Sequence, residues 1–330
     1  MKKIASRLAQ RLFAGIIMIL VVASFTFFLV RLMPGNPVEA KYNNLIMRGL
    51  NPVQAMDQVR LMYGFIPHQP LGVQYWHYLV QIVHFNLGRS ISYEGVPVMH
   101  IILSAAPWTI ILVMSGLVAS FIVGVLAGVI AAIKRSSPAG DAITLSGSLL
   151  HGIPQFVMAI FLAYTLTTLW TIFPFGAPYN VAIQPGFNLP FISSLVRHAF
   201  LPVVTYALST YGGWLLTMKS SVISVLGDDF LLAAEVRGLN STTRIKYIAH
   251  NAILPLFTVF ALSIGFMFGG SLFIETIFDY PGLGNLLVHA ISARDYPLMS
   301  GTFLLITVAV ILSNIVADFL YSVVDPRIRR

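Results

Sequence analysis

Long apolar runs, not short alternations, set the pattern of this chain. Stretches free of Asp, Glu, Lys and Arg occur at Leu12–Val30, Thr109–Ile133, His198–Met218, Ala252–Ile274 and Tyr296–Ala317. Each comes close to the ~20 mostly apolar residues that a helix needs to cross a hydrocarbon core. A longer uncharged stretch, Ala142–Val196, is broken in its second half by Pro174, Gly176, Pro178, Pro185 and Pro190. Proline and glycine clusters end helices, so one span is predicted over Ala142–Ile172, followed by a polar-poor loop. The pattern therefore predicts six membrane-spanning helices.

Between the first two spans lies the one sizeable polar region. It opens on the turn cluster Pro34-Gly35-Asn36-Pro37, continues as mixed helix over Val38–Met62, and carries an amphipathic, aromatic-rich helix over Leu71–Phe85. Tyr and Trp favour the boundary between lipid and water, so this last helix is expected on the membrane surface or capping the outer mouth. His77 and His84 share a face two helical turns apart, but no third ligand joins them, and no metal site is assigned. The division expected is a first segment and helix over 1–32, an external region over 33–98, and a helical core over 99–330.

Composition excludes a soluble fold. The 330 residues are 57% hydrophobic and 10% charged, against roughly 25% charged in soluble domains. Cysteine is absent, which removes disulfides, thiolate metal sites and thiol catalysis. The net charge of +8 raises the question of nucleic acid, and the placement of the charges answers it. With the N-terminus inside, thirteen Lys and Arg fall in cytoplasmic segments (Lys2, Lys3, Arg7, Arg11, Lys134, Arg135, Lys219, Arg237, Arg244, Lys246, Arg327, Arg329, Arg330). Six fall outside (Lys41, Arg48, Arg60, Arg89, Arg197, Arg294), with Arg31 at a helix end. Basic residues collect on the cytoplasmic side of short loops, so both termini are expected in the cytoplasm and no nucleic acid is needed. The first apolar run exceeds a signal-peptide core, and no small-x-small cleavage pattern follows it. It is expected to stay as a span.

The segment 219–251 carries the clearest local signals. Asp228 or Asp229 can cap a helix N-terminus, Ala233, Ala234 and Glu235 continue it, and Gly238 sits where a left-handed C-terminal cap is wanted. Leu231, Leu232 and Leu239 give this short helix an apolar face outside the membrane. Such a face docks a partner or folds back on the helix ends, and the pattern leaves both open.

Here the sequence resembles a known family. Ala233, Ala234 and Gly238, with Leu254-Pro255 further on, resemble the EAA motif of binding-protein-dependent ABC transport permeases. The wider resemblance is to the first permease subunit of the oligopeptide/dipeptide/nickel family. Its pieces run in order: FFLVRLMPGNPVEA, NLGRS, GVLAGVIAAIKR, ETIFDYPGLG, ARDYP and DPRIR. Leu232 stands where the family has the Glu of EAA, and Glu235 follows three residues later, while Arg237 keeps the basic residue before Gly238. The resemblance implies an all-α polytopic membrane protein with the type I ABC importer permease fold, and a place in the inner or plasma membrane of a prokaryote. It further implies a second homologous permease, two ATP-binding subunits and an extracytoplasmic substrate-binding protein. ATPase coupling would fall to Asp229, Leu231, Leu232, Ala233, Ala234, Glu235, Arg237 and Gly238.

The chain has no Gly-x-x-x-x-Gly-Lys-Ser/Thr loop to cradle nucleotide phosphates, so no cofactor is assigned to it, and ATP and Mg are expected on the partner subunits. No enzyme activity is assigned: Ser148 and His151 share a helix face, but such residues in spans commonly bond neighbouring helices. Glu275, with Pro281, Gly282 and Gly284 in the loop 278–290, is the candidate outer gate, since ionisable groups at membrane depth are functional candidates. Asp318 is the other such acid. Gly265, Gly269 and Gly270 offer a packing face or a hinge. Thr205, Tyr206, Ser209, Ser263 and Ser271 are candidate linings of a translocation path. Peptides are the family's usual substrate, with nickel or oligosaccharides as alternatives. A self-contained channel or secondary transporter is the rival class, though no internal repeats or midplane charges are visible.

Overall fold

The structure, a computed structural model, describes residues 2–32, 37–63, 70–227, 231, 234, 236–266 and 271–324. Among them it is helical, with one isolated antiparallel bridge between Arg89 and Pro97. Five helical stretches are long and apolar enough to cross a membrane, or six if one bent pair is taken as a single span.

That bent pair falls on the expected third span and puts a sharp break within it. Helix α6 (Pro138–Gly152) and helix α7 (Gln155–Ala163), which continues as a π-helical stretch over Tyr164–Leu169, meet at 97°. Pro154 has no N–H to donate, and its ring pushes the preceding residue out of the α region. Ile153 is accordingly extended, at φ −83° and ψ 121°. The apolar run hides this break because hydropathy does not register backbone geometry.

The chain forms two compact units, residues 1–108 with 281–315 and residues 109–280 with 316–330. In the first unit, α1 (Lys2–Leu32), α2 (Pro37–Met47), α3 (Pro52–Tyr63) and α4 (Leu71–Val83) precede the start of α5 (Val98–Ile133). α2 and α3 close on each other through Val38, Leu45, Ala55 and Val59. α12 (Leu283–Ser292) and α13 (Tyr296–Val324) complete the unit, so the region 33–98 is built together with α12 and α13. The stretch expected as a loop over 278–290 is mostly the helix α12, with Leu283, Gly284, Asn285, Leu286 and Leu287 buried.

In the second unit, α5 and α6 pack on α8 (Leu189–Val225) through glycines. A Cβ at Gly124 would lie 2.5 Å from Trp214 Cβ, and one at Gly128 would lie 2.7 Å from Met218 Cβ. One at Gly116 would lie 2.7 Å from the Tyr206 ring. Small residues permit this close approach of helices where no hydrophobic drive separates lipid from side chain. Phe121 fills the adjoining space, edge-on to Trp214 at 5.1 Å and 4.6 Å from Phe260. α8 is longer than its apolar run. Asn188 caps it by accepting from the Phe191 N–H at 2.9 Å, with Pro190 in its first turn. The expected span Ala252–Ile274 falls mainly on α10 (Leu254–Phe266), which follows α9 (Ser241–Ala252) so closely that Ser241–Ile264 counts as one candidate span. It reaches the start of α11 (Leu272–Ile277), with residues 267–270 outside the described ones. Gly265 lies in α10, whereas Gly269 and Gly270 fall outside the described residues.

Candidate functional site

The segment between α8 and α9 is shorter than the 219–251 loop, because α8 runs to Val225 and α9 begins at Ser241. Asp229, Leu232, Ala233 and Glu235 lie outside the described residues. Leu231, Ala234 and Val236 have helical backbone, and the turn ends as its sequence dictates. Gly238 has φ +71°, and the Leu239 N–H donates to the Ala234 carbonyl at 3.2 Å. A left-handed glycine followed by a six-to-one bond is the Schellman termination. Asn240 then caps α9 at once, accepting from the Thr243 N–H at 2.8 Å. Leu231 and Ala234 are buried in their own chain, so this part of the apolar face folds back. Val236, Arg237 and Gly238 are exposed. Two contacts anchor the flanks: Ser221 Oγ donates to the Ala252 carbonyl at 2.7 Å, and Lys219 Nζ to Thr144 Oγ1 at 2.8 Å.

Glu275, the candidate at the outer gate, is enclosed by its own chain. It is fully buried in α11, where its Oε1 accepts from Thr109 Oγ1 on α5 at 2.8 Å and from Ser271 Oγ. Its backbone carbonyl accepts from the Tyr280 N–H at 2.8 Å. Burial, and after it the Glu275 carboxylate, push the Tyr280 phenol above its ordinary value, so the ring stays protonated at physiological pH. A buried carboxylate with two hydroxyl donors is an internal strut. Gly282 and Gly284 are buried and Pro281 is half-buried, in and just before α12.

The five candidate path residues divide by burial. Thr205, Tyr206 and Ser271 are buried in the chain, whereas Ser209 and Ser263 are half-exposed. Thr205, Ser209 and Ser263 each return their hydroxyl to the carbonyl four residues back, at 2.8 Å. Such back-bonding satisfies a hydroxyl within a span. Asp318 lies in the backbone of α13.

One residue that sequence reasoning passed over organises the first unit. Asp295 is fully buried, and its Oδ2 accepts from Ser90 Oγ, from Ser92 Oγ at 2.6 Å, and from the Ile91 and Ser92 N–H groups at 2.9 Å each. Its Oδ1 caps α13 by accepting from the Leu298 N–H at 3.1 Å. The motifs NLGRS and ARDYP thus meet in one node. Gly88 completes it at φ +80°, where a Cβ would lie 2.7 Å from the Met62 carbonyl oxygen. No local sequence signal announces this pairing, whose partners lie 203–205 positions apart.

Comparison with known proteins gives these sites a context. Residues 124–330 match the family model described as binding-protein-dependent transport system inner membrane component. Residues 4–113 match the N-terminal model of the same transport-system membrane component. The chain is 33% identical over 322 residues to a protein of Brucella ovis named as a peptide permease, covering 97% of this chain and 98% of that one. It is equally similar to a Brucella suis protein also named as a peptide permease, over the same extents. A nickel import system permease, NikB of Staphylococcus aureus, is 30% identical over 328 residues, covering 99% of this chain and 92% of the relative.

Proposed function

Because the chain belongs to the family of binding-protein-dependent transport system inner membrane components, we propose that it is a permease subunit of an ATP-driven importer of peptides. The observation that carries this reading is similarity along nearly the whole chain to proteins named as peptide permeases. A second homologous permease would complete the path between two helical bundles. Two ATP-binding subunits would supply ATP and Mg on the cytoplasmic side, and a substrate-binding protein would deliver cargo from outside. The distribution of Lys and Arg supports cytoplasmic termini. The near-full-length similarity to NikB favours nickel as a second reading of the cargo.

Transport needs two states that ATP and cargo bias differently. In this reading the ATP-binding subunits press on the turn around Asp229–Gly238, and α8 and α10 carry the movement to the path. The Schellman end at Gly238 supports this role, since it fixes the turn with Val236 and Arg237 exposed. The space around Gly238 is open, with nothing within 4 Å of an added Cβ. Gly238→Trp in reconstituted vesicles is expected to leave membrane insertion intact and to separate ATP hydrolysis from uptake. Uptake per ATP equal to that of the parent would defeat the coupling role. Cargo is decided by calorimetry on the binding protein, titrated with peptides, oligosaccharides and Ni²⁺. Heat with peptides alone supports the peptide reading.

A further inference from the structure

Helix α4, LGVQYWHYLVQIV, has no charged residue, whereas α2 holds Glu39 and Lys41 and α3 holds Asp57 and Arg60. One side of α4 packs on α1. Tyr75 Oη and Ser24 Oγ share a hydrogen bond at 2.5 Å, and Tyr78 Oη and Thr26 Oγ1 share one at 3.2 Å. The rings of Tyr75 and Tyr78 lie 5.1 and 5.3 Å from that of Phe27, and Tyr75 stacks on Phe28 at 5.8 Å. The opposite side is open. Val73, Trp76, Val80 and Val83 are 42%, 66%, 37% and 74% exposed, and their spacing of three and four residues draws one continuous stripe.

Two observations decide what covers that stripe. The first is depth. The apolar span of α1 is Gln10–Leu29, and Ser24 and Thr26 lie about 5–8 Å inside its far end at a rise of about 1.5 Å per residue. The second is continuity. Phe25 and Phe28, 64% and 46% exposed on α1, carry an apolar surface onto α4 at the point where Tyr75 stacks. These contacts join one turn of α4, Tyr75 to Tyr78, to residues 24–28 of α1. A helix held there, near the end of the apolar run of a membrane-spanning helix, is placed at the depth of the lipid–water interface.

We propose that α4 is an in-plane anchor whose Val73–Trp76–Val80–Val83 face rests in the lipid of the leaflet at the carboxyl end of α1. An amphipathic helix of this kind buries its apolar face about 5–10 Å into the headgroup and acyl boundary. The inference needs only that the chain spans a membrane, so it stands or falls apart from the cargo.

The chain contains no cysteine, so Val73→Cys, Val80→Cys and Val83→Cys each give a unique site for a nitroxide label on the intact chain, in vesicles with its accompanying subunits. Phe25→Cys on α1 is the lipid reference, and Asp57→Cys and Glu94→Cys, both exposed, are the water references. Collision with oxygen is expected to exceed collision with a water-soluble nickel chelate at the three α4 sites, as at residue 25, and the ratio is expected to invert at residues 57 and 94. A ratio at α4 like that of the water references overturns the proposal in favour of an open mouth. Exclusion of both reagents overturns it in favour of a protein partner.

Discussion

Single residues in this chain act through what they hold still. Asp295 receives four donors on one oxygen, so Asp295→Ala strands the buried Ser90 hydroxyl and deprives the part-buried Ser92 hydroxyl and Ile91 and Ser92 N–H groups of their acceptor. Each such group costs about 1–3 kcal/mol, and thermal unfolding in detergent is expected to show a loss of about 3 kcal/mol or more, with Asp295→Asn closer to the parent. Glu275→Gln separates two roles for its carboxylate. As a strut between Thr109 and Ser271, its neutralisation is expected to lower the melting temperature and leave the apparent affinity for cargo unchanged in uptake assays. A changed affinity would support the gate reading. Gly238→Ala forces a Cβ into the left-handed region, at a cost of about 1–2 kcal/mol. Faster proteolysis next to residue 238 is the expected sign. Gly238 was legible in the sequence because a helix end is a local event. Asp295 was not, because Ser90 and Ser92 are 205 and 203 positions away and nothing local announces such a pairing.

Elements were legible where composition alone decides them. Uncharged runs located α1, α5, α8 and α13, but their ends extend beyond the runs, as at Asn188, where a cap and not hydropathy sets the boundary. Interior prolines did not stop α5 or α8: Pro107 and Pro202 lie within them. Pro154 did stop α6, with the extended Ile153 before it. Helix packing could not be read from the motif GVLAGVIAAIKR alone, since its glycines matter only once α8 lies against them. Adjacent glycines on α8 give a sharp test. At Gly212 a Cβ would press on the Gly147 carbonyl and stand 2.7 Å from His151 Cβ. At Gly213 the nearest atom is 3.6 Å away. Gly212→Ala is expected to cost about 1–3 kcal/mol by overpacking, and Gly213→Ala to be tolerated, as measured by folded yield and melting temperature.

At the scale of the whole molecule, the family was the most legible feature, because six short motifs in order constrain more than any one of them. State-dependent motion was not legible, since a sequence holds no record of which surfaces open. Gly282 and Gly284 are buried, so cysteines placed there are expected to resist maleimide in the resting transporter and to react faster when nucleotide is trapped. Equal rates in both states would remove α12 from the gate.

The 97° corner between α6 and α7 also limits how the chain can sit among its neighbours. The last turn of any α-helix leaves carbonyls outside its ladder, and hydrocarbon offers them no donor. His151, Gly152, Ile153 and Pro154 are exposed in the isolated chain, so fatty acyl chains are an unsuitable cover for that patch. At hydrocarbon depth, such a corner would call for another polypeptide or a column of water as its cover.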